Sequence, residues 1–318
     1  MRLADMYATA VRVGSENDPR GEKGIARILS EAKREYDELP EPRRWEFDDE
    51  RLRNPFADTR VLVGDPETDV CTVLVGIDME VGEVLLADRL REKGSPVDLI
   101  LAHHPDGRAL ADIEAVMSVQ ADIWRKQGVP IAYGDAVMAG RGAEIRRWFH
   151  ARNNDQAPAA ARLLGMPFMC CHTPADNSVN AFLQKRCDAL DEDATVQDVL
   201  DLLRAIPEYR HAVTLGNGPV VFEGDKDRRA GRVMVDMTGG TSGPKEAIER
   251  LAAAGVGTIV GMHMGEEHRK NAAKAHMNVV IAGHMASDSL GVNIVVDAFA
   301  RQGVEVIACS GYFRVARV

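Results

Sequence analysis

The strongest structural signal in the sequence is the stretch Asp98-Leu-Ile-Leu-Ala-His103-His104-Pro105. The apolar run Leu99 to Ala102 is too short for an isolated helix and suits a buried strand, which Pro105 ends. Open α/β sheets place their chemistry at the carboxyl ends of their strands, where the two histidines stand. Neutral imidazoles are good ligands for transition metals, so the pair predicts a metal site. The alternative is one core histidine beside one solvated histidine in a loop.

The residues before this stretch predict a strand and a helix. Val70 to Ile77 is rich in β-branched residues, and helical spacing follows from Val81 to Leu90. With the strand before His103, these segments form a β-α-β unit, which is expected to be right-handed and parallel. Asp78 directly follows the first strand and is therefore expected at the same edge of the sheet as His103.

The last third of the chain repeats this order of elements. Arg232 to Met237 is predicted as a strand, Pro244 to Ala254 as a helix, and Gly257 to Met262 as a strand that runs into His263. The two units also match in length, which indicates an internal duplication. A final strand, Val304 to Cys309, is expected to close the sheet.

The middle of the chain carries further local signals. Val129 to Tyr133 is strand-like, whereas Gly140 to Leu164 is mainly helical with a polar break at 153–155. Ser178 is predicted to cap a helix from Val179 to Leu190. Thr195-Val-Gln-Asp198 has the spacing of a capping box for the helix that follows.

At 318 residues the chain can form two domains or one large α/β domain. We predict an α/β fold of two related β-α-β-containing halves with a metal cleft between them. Residues 1–58 are predicted to be a helical extension without chemistry of its own. The first half spans 59–230 and includes a helical insertion at about 135–165, and the second half spans 231–318.

The charge and composition of the chain limit the classes of binding partner that we expect. The net charge of −10 argues against nucleic acid or an anionic membrane surface as the default partner. No run of 18 apolar residues occurs, and the first residues lack the apolar core of a signal peptide, so a cytoplasmic location is expected. The five cysteines are odd in number and lack zinc-finger spacing, which favours reduced thiols.

Several ligand-type side chains follow predicted strands, and the sheet topology is expected to bring them to one edge. They are His103, His104, Asp176, His284 and Asp288. His284 and Asp288 are four residues apart, so on a helical turn they share one face. Three imidazoles and two carboxylates are enough donors for two divalent ions with a bridging carboxylate. Such a donor set suits zinc, manganese, iron, cobalt or nickel.

These motifs together resemble the NIF-three-like dinuclear metal centre family. They are a strand and aspartate before a strand ending in His-His-Pro, a strand ending in His-Thr with an aspartate soon after, and Gly-His with an acid four residues on. The resemblance covers roughly residues 60–318 and implies that the same five residues hold two metal ions. It also implies a homo-oligomer, commonly a toroidal hexamer. Asp288 stands where the family normally has glutamate.

Two further features are candidates for substrate handling. His263 or His268 is predicted to handle protons, the alternative being a solvated loop histidine. The stretch Thr238-Gly-Gly-Thr241-Ser242-Gly-Pro244 is a glycine-rich turn that opens a helix and could hold a phosphate or carboxylate. Its candidate binding residues are Gly239, Gly240, Thr241, Ser242 and Gly243. The alternative is a tight structural turn.

Metal-dependent hydrolysis of a small molecule, which could carry phosphate, is the simplest function for this set of residues. A metal-binding or interaction module without turnover is the second hypothesis. A type-two GTP cyclohydrolase activity, which the resemblance also suggests, ranks third. It needs a purine pocket, yet none of the chain's 16 aromatic residues lies beside the proposed ligands in the sequence.

Overall fold

A computed structural model describes residues 1–318 and contains nine strands and thirteen α-helices. The strands are β1 (Thr59–Val63), β2 (Thr72–Gly76), β3 (Leu99–Ala102), β4 (Phe168–Cys171), β5 (Val220–Glu223), β6 (Arg232–Asp236), β7 (Val256–Gly261), β8 (Asn278–Ile281) and β9 (Glu305–Ala308). The helices are α1 (Leu3–Glu16), α2 (Gly21–Glu38), α3 (Val81–Glu92), α4 (Gly107–Ala111), α5 (Val119–Lys126), α6 (Ile131–His150), α7 (Gln156–Leu163), α8 (Thr173–Cys187), α9 (Val196–Arg204), α10 (Pro207–Thr214), α11 (Ala247–Ala253), α12 (Glu266–Lys274) and α13 (His284–Ala300). No helix is both long and apolar enough to cross a membrane.

The strands form two sheets with the same internal order. The first sheet runs β1-β4-β3-β2-β9 and the second runs β5-β8-β7-β6. In each sheet the first strand along the chain is an antiparallel edge, and the other pairings are parallel. The predicted α/β class with two related halves is confirmed, and both predicted β-α-β units are present as β2-α3-β3 and β6-α11-β7.

The two sheets differ at one edge. In the first sheet β9 pairs with β2, so this strand does not close the second half. In the second sheet the edge of β6 is covered by side chains of α8 instead. Gln184 accepts from the backbone N–H of Val235 (2.8 Å) and donates to the carbonyl of Val233 (3.0 Å), while Asn180 accepts from the N–H of Met237 (3.1 Å). These bonds satisfy an edge that would otherwise be open to another strand.

Helices α8 and α13 pack against each other and line the space between the sheets. Val179 and Leu183 of α8 join apolar residues of β6, β7 and β8 in one core cluster. Val292 and Val296 of α13 join β2, β3 and β4 in another. Outer helices cover the opposite faces of both sheets. The paired helices therefore hold the two halves together through buried apolar surface.

The predicted helical extension and the predicted helical insertion both pack into the cores of the sheets, which their sequence periodicity does not indicate. Residues 1–58 are mostly helical as predicted, but Leu3, Met6 and Ala10 of α1 are fully buried in the core of the first sheet. Helix α6, at the predicted insertion, buries Met138 and Ile145 against the second sheet. The boundary at residue 230 does not separate the sheets, because β5 and β9 each pair across it.

Some local predictions were wrong. The segment 129–133 is not a strand, because α6 begins at Ile131 after Pro130. Ser178 does not cap α8, which begins five residues earlier at Thr173; its hydroxyl donates to the carbonyl of Pro174 inside the helix. The capping box at Thr195 and Asp198 is confirmed, with both reciprocal bonds formed.

Candidate metal centre

The predicted ligands come together where β3 ends and where α8 and α13 begin. His103 and His104 directly follow β3. Asp176 lies in the first turn of α8, and Asp288 lies one turn into α13, which starts at His284. Because α13 begins at residue 284, His284 and Asp288 lie one helical turn apart, as their spacing predicts. Residues of both halves therefore contribute to one cluster.

Asp288 lies at the centre of the cluster and is fully buried. Its Oδ1 is 3.5 Å from His103 Nε2, and its Oδ2 is 3.5 Å from the Nε2 atoms of both His104 and His284. The two carboxylate oxygens thus face different histidines. Such a carboxylate is a candidate metal ligand.

Asp176 adds a second buried carboxylate on the other side of His103. Its Oδ1 is 3.5 Å from His103 Nε2, and its Oδ2 is 3.7 Å from the Nε2 of His172. Donor atoms form three groups in which all members lie within 4.8 Å of one another. The groups are His103, His104 and His172; His104, His284 and Asp288; and His103, Asp176 and Asp288.

The inward-facing atoms fit divalent metal ions. His103 Nε2, Asp176 Oδ1 and both oxygens of Asp288 are buried without any hydrogen-bond partner. Buried polar atoms normally form hydrogen bonds. Four such atoms without a partner around one space would be stabilised by a cation bound between them. Bonds of about 2.1 Å at tetrahedral angles separate neighbouring ligand atoms by about 3.4 Å, close to the distances above. Imidazole with carboxylate is a donor set for zinc, manganese, iron, cobalt or nickel.

The outward-facing nitrogens of three histidines are held by acceptors. His103 Nδ1 donates to the carbonyl of Cys171 (3.2 Å), and His104 Nδ1 donates to Asp78 (2.7 Å). His172 Nδ1 donates to Asp58 (2.8 Å), a fully buried carboxylate. With the proton on Nδ1, each ring presents the Nε2 lone pair to the cluster, as metal-binding histidines do.

The charges within the cluster are strongly coupled. Burial lowers the pKa of His103 to about 4, so this ring is neutral and available as a ligand. Burial also raises the pKa of Asp176 to about 7. Burial would raise the pKa of Asp288 as well, but the neighbouring His103 and His104 lower it instead. A bound cation would favour the ionised form of both carboxylates.

A cleft opens from the cluster toward α5 and α11. His263 lies on its wall, with its ring 5.0 Å from that of His284, and burial lowers the pKa of His263. His268 also lines the cleft and donates from Nε2 to the carbonyl of Gly243 (2.9 Å). Trp124 contributes one aromatic side chain to this lining, although no aromatic residue lies near the ligands in sequence.

The glycine-rich turn forms the far side of the same cleft. Its carbonyls are held by two side chains of the first half: Gln120 donates to Gly239 and Thr241 (3.0 and 2.6 Å), and Arg141 donates to Ser242 (3.0 Å). Gly239 has a φ of +106°, and a Cβ there would lie 2.6 Å from Gln120. The turn is thus a tight structural feature as well as part of the cleft wall. Helix α11 starts only at Ala247, three residues later than predicted.

Sequence reasoning missed two residues of this site. His172 was visible in the sequence as the first member of a second His-x-x-x-Asp pair, with Asp176, that repeats the spacing of His284 and Asp288. Asp58 gave no local signal, because its bond to His172 joins positions 114 residues apart. Asp58 is the last residue of the segment 1–58, which therefore contributes one side chain next to the cluster.

Gly283 shapes the junction between β8 and α13. Its φ is +111°, and a Cβ at this position would lie 2.7 Å from the carbonyl oxygen of Asn217. Only glycine adopts this conformation without strain. The backbone turn at Gly283 therefore sets where α13 begins and places His284 beside the cluster.

No protein-family profile and no curated protein sequence matches the chain. Among solved structures, a NIF3 superfamily protein from Sphaerobacter thermophilus is similar, with a TM-score of 0.72 and 28% sequence identity over 90% of this chain and 98% of that one. Reduced HcgD from Methanocaldococcus jannaschii has a TM-score of 0.49 and 14% identity over 78% and 87% of the two chains. A Bacillus cereus protein related to NIF3 has a TM-score of 0.43 and 13% identity over 79% and 91%.

The fold and the buried histidine-aspartate cluster define an α/β protein with a candidate metal centre. The similarity to the Sphaerobacter thermophilus protein extends over nearly the whole of both chains. The predicted resemblance to the NIF-three-like family is thereby confirmed, and the chain shares the fold of this NIF3 superfamily protein.

Proposed function

We propose that the chain is a metal-dependent hydrolase that binds two divalent ions through His103, His104, Asp176, His284 and Asp288. His172 is a sixth candidate donor. The observation that carries this proposal is the position of Asp288, whose two buried and unpartnered oxygens face different histidines. Neither oxygen accepts a hydrogen bond from the chain itself.

Two bound divalent ions would supply Lewis-acid activation of a water and of a substrate oxygen. The chain's own part is to hold the donors in place. Asp78, Asp58 and the carbonyl of Cys171 fix the ring orientation of three histidines. These contacts lie behind the donors, so they orient each ring without occupying the cleft.

The cleft supplies the remaining groups that hydrolysis requires. His263 and His268 are the proposed proton-handling residues, since both line the cleft and neither belongs to the donor groups. Gly239, Gly240, Thr241, Ser242 and Gly243 are the proposed substrate-binding turn. The substrate is a small molecule, and the working assembly is proposed to be a homo-oligomer, a hexamer by family resemblance.

Metal analysis and a substrate screen test this function. The purified protein is reconstituted with manganese, zinc or iron, its metal content is measured by elemental analysis, and it is assayed against phosphoesters, nucleotides including GTP, and small amides. We expect about two ions per chain, as for a two-metal hydrolase, and turnover that His263→Ala or His268→Ala reduces at least tenfold. Absence of metal after reconstitution contradicts the proposal.

A fully metal-loaded protein with no turnover on the whole panel would instead support the non-catalytic metal-binding module. Turnover of GTP alone would support the cyclohydrolase alternative. That activity needs a site for a purine, and Trp124 is the aromatic side chain in the cleft lining that is relevant to it. The three hypotheses therefore give different results in the same experiment.

A further inference from the structure

Asp236 is an acidic residue in the cleft that the proposed hydrolysis does not use. It is the last residue of β6, in register with Gly261 at the end of β7. Because strand side chains alternate, Asp236 lies on the same face as Met234, which packs in the cluster containing Trp124 and Leu251. The carboxylate is thus placed at the top of an apolar layer and lines the cleft.

The Asp236 carboxylate has no partner within the chain. It makes no ion pair and accepts no side-chain hydrogen bond, and the residue is only partly buried, so a ligand in the cleft can reach it. Burial raises the pKa of Asp236 to about 6, and the charge of His268 only partly opposes this effect. A desolvated carboxylate without a donor is unfavourable, and a ligand that supplies one would offset that penalty.

The charges that line the cleft also favour a ligand that donates hydrogen bonds. No lysine or arginine lines it, and Asp236 is its only acidic residue outside the proposed metal donors. Lys245, at the end of the glycine-rich turn, points to Glu267 (3.8 Å) and is not part of the lining. This end of the cleft is therefore poorly suited to a phosphate and well suited to a group that donates hydrogen bonds.

The residues around Asp236 also indicate what kind of molecule would carry the hydrogen-bond donor. Trp124, Ile248 and Leu251 line the cleft close to the turn and offer an apolar wall. Ligand sites typically combine such a wall with a few polar groups that set orientation. A flat organic body against this wall would bring its polar end to the carboxylate.

We propose that Asp236 determines substrate specificity by accepting hydrogen bonds from an N–H-bearing group, an amine or amidine, on the apolar body of the substrate. This inference rests on the proposed function for the position of the reacting bond, which lies toward the metal cluster. It revises the expectation that the glycine-rich turn binds an anion, because the nearest free charge in the cleft is negative.

Benzamidine, an apolar ring that carries a cationic amidinium group with two hydrogen-bond-donating nitrogens, is the probe for this proposal. Its binding to the reconstituted protein is measured by titration calorimetry at pH 8, with the Asp236→Asn variant and with Asp135→Asn, an exposed position on α6, as the matched control. We expect Asp236→Asn to weaken benzamidine binding at least tenfold and Asp135→Asn to leave it unchanged. Metal content should be equal in all three proteins.

Benzamidine binding that changes less than twofold in Asp236→Asn, or no binding to the parent protein, overturns the proposal. Benzoate is titrated in parallel, and a benzoate affinity above that of benzamidine in the parent would also overturn it, since the site would then prefer an anion. These titrations need no turnover. A protein that binds benzamidine through Asp236 but holds no metal would therefore contradict the proposed function alone.

Discussion

The two halves of the molecule build the same strand-to-helix junction in different environments. In the first half, β4 leads into α8 with His172 and Asp176 four residues apart; in the second, β8 leads into α13 with His284 and Asp288 at the same spacing. The side chain of His172 is 7% exposed, whereas that of His284 is 39% exposed. Both histidines line the cleft, but the ring of His172 is nearly enclosed whereas that of His284 is open to solvent.

The difference follows from what packs behind each histidine. Asp58 and the segment before β1 cover His172 and hold its Nδ1. Nothing comparable covers His284, whose ring instead neighbours that of His263 on the cleft wall. The same strand-to-helix junction therefore holds its histidine rigidly in one half and leaves it open to solvent in the other.

The largest expected effect concerns Asp288, which belongs to two of the three donor groups. Asp288→Ala should remove nearly all bound metal, because each carboxylate oxygen belongs to a different group, whereas His284→Ala should remove about half. Elemental analysis of the reconstituted proteins measures both, with Asp135→Ala as a control on the surface. Equal losses in Asp288→Ala and His284→Ala would mean that Asp288 does not bridge.

The second test compares the two junction histidines in the folding equilibrium. His172→Ala leaves Asp58 buried with its main partner removed and should lower the free energy of unfolding by about 3 kcal/mol. His284→Ala, at a more exposed site, should lower it by less than about 1 kcal/mol. Urea unfolding followed by circular dichroism in the presence of EDTA measures both without a contribution from bound metal. Similar losses would contradict the asymmetry.

The smallest expected effect tests the glycine that starts the second junction. Gly283→Ala forces a Cβ against the carbonyl of Asn217 at a positive φ and should lower the free energy of unfolding by about 2 kcal/mol. Gly142→Ala, inside α6 with open space around it, should raise it by up to about 1 kcal/mol. A Gly283→Ala protein as stable as the parent, with its full metal content, would show that the junction does not depend on this turn.

Much of the site could be predicted because its signals are local. His103 and His104 follow an apolar run that suits a buried strand, and His284 and Asp288 have the spacing of one helical turn. The prediction for the segment 129–133 was wrong because its local pattern does not distinguish a strand from a helix. A five-residue apolar run fits a strand or the start of a helix, and here Pro130 and the contacts of α6 with the second sheet favoured the helix.

The sequence by itself determined the strand that ends at the two histidines, the capping box at Thr195 and the repeated order of elements, because these depend on neighbours a few residues apart. Only the tertiary structure decided that β9 joins the first sheet while α8 covers the matching edge of the second. It also decided that Asp58 orients His172 and that Asp236 stands unpaired in the cleft. These features depend on which surfaces meet in the packed core, and that choice minimises exposed apolar area and unpaired polar groups over the whole chain.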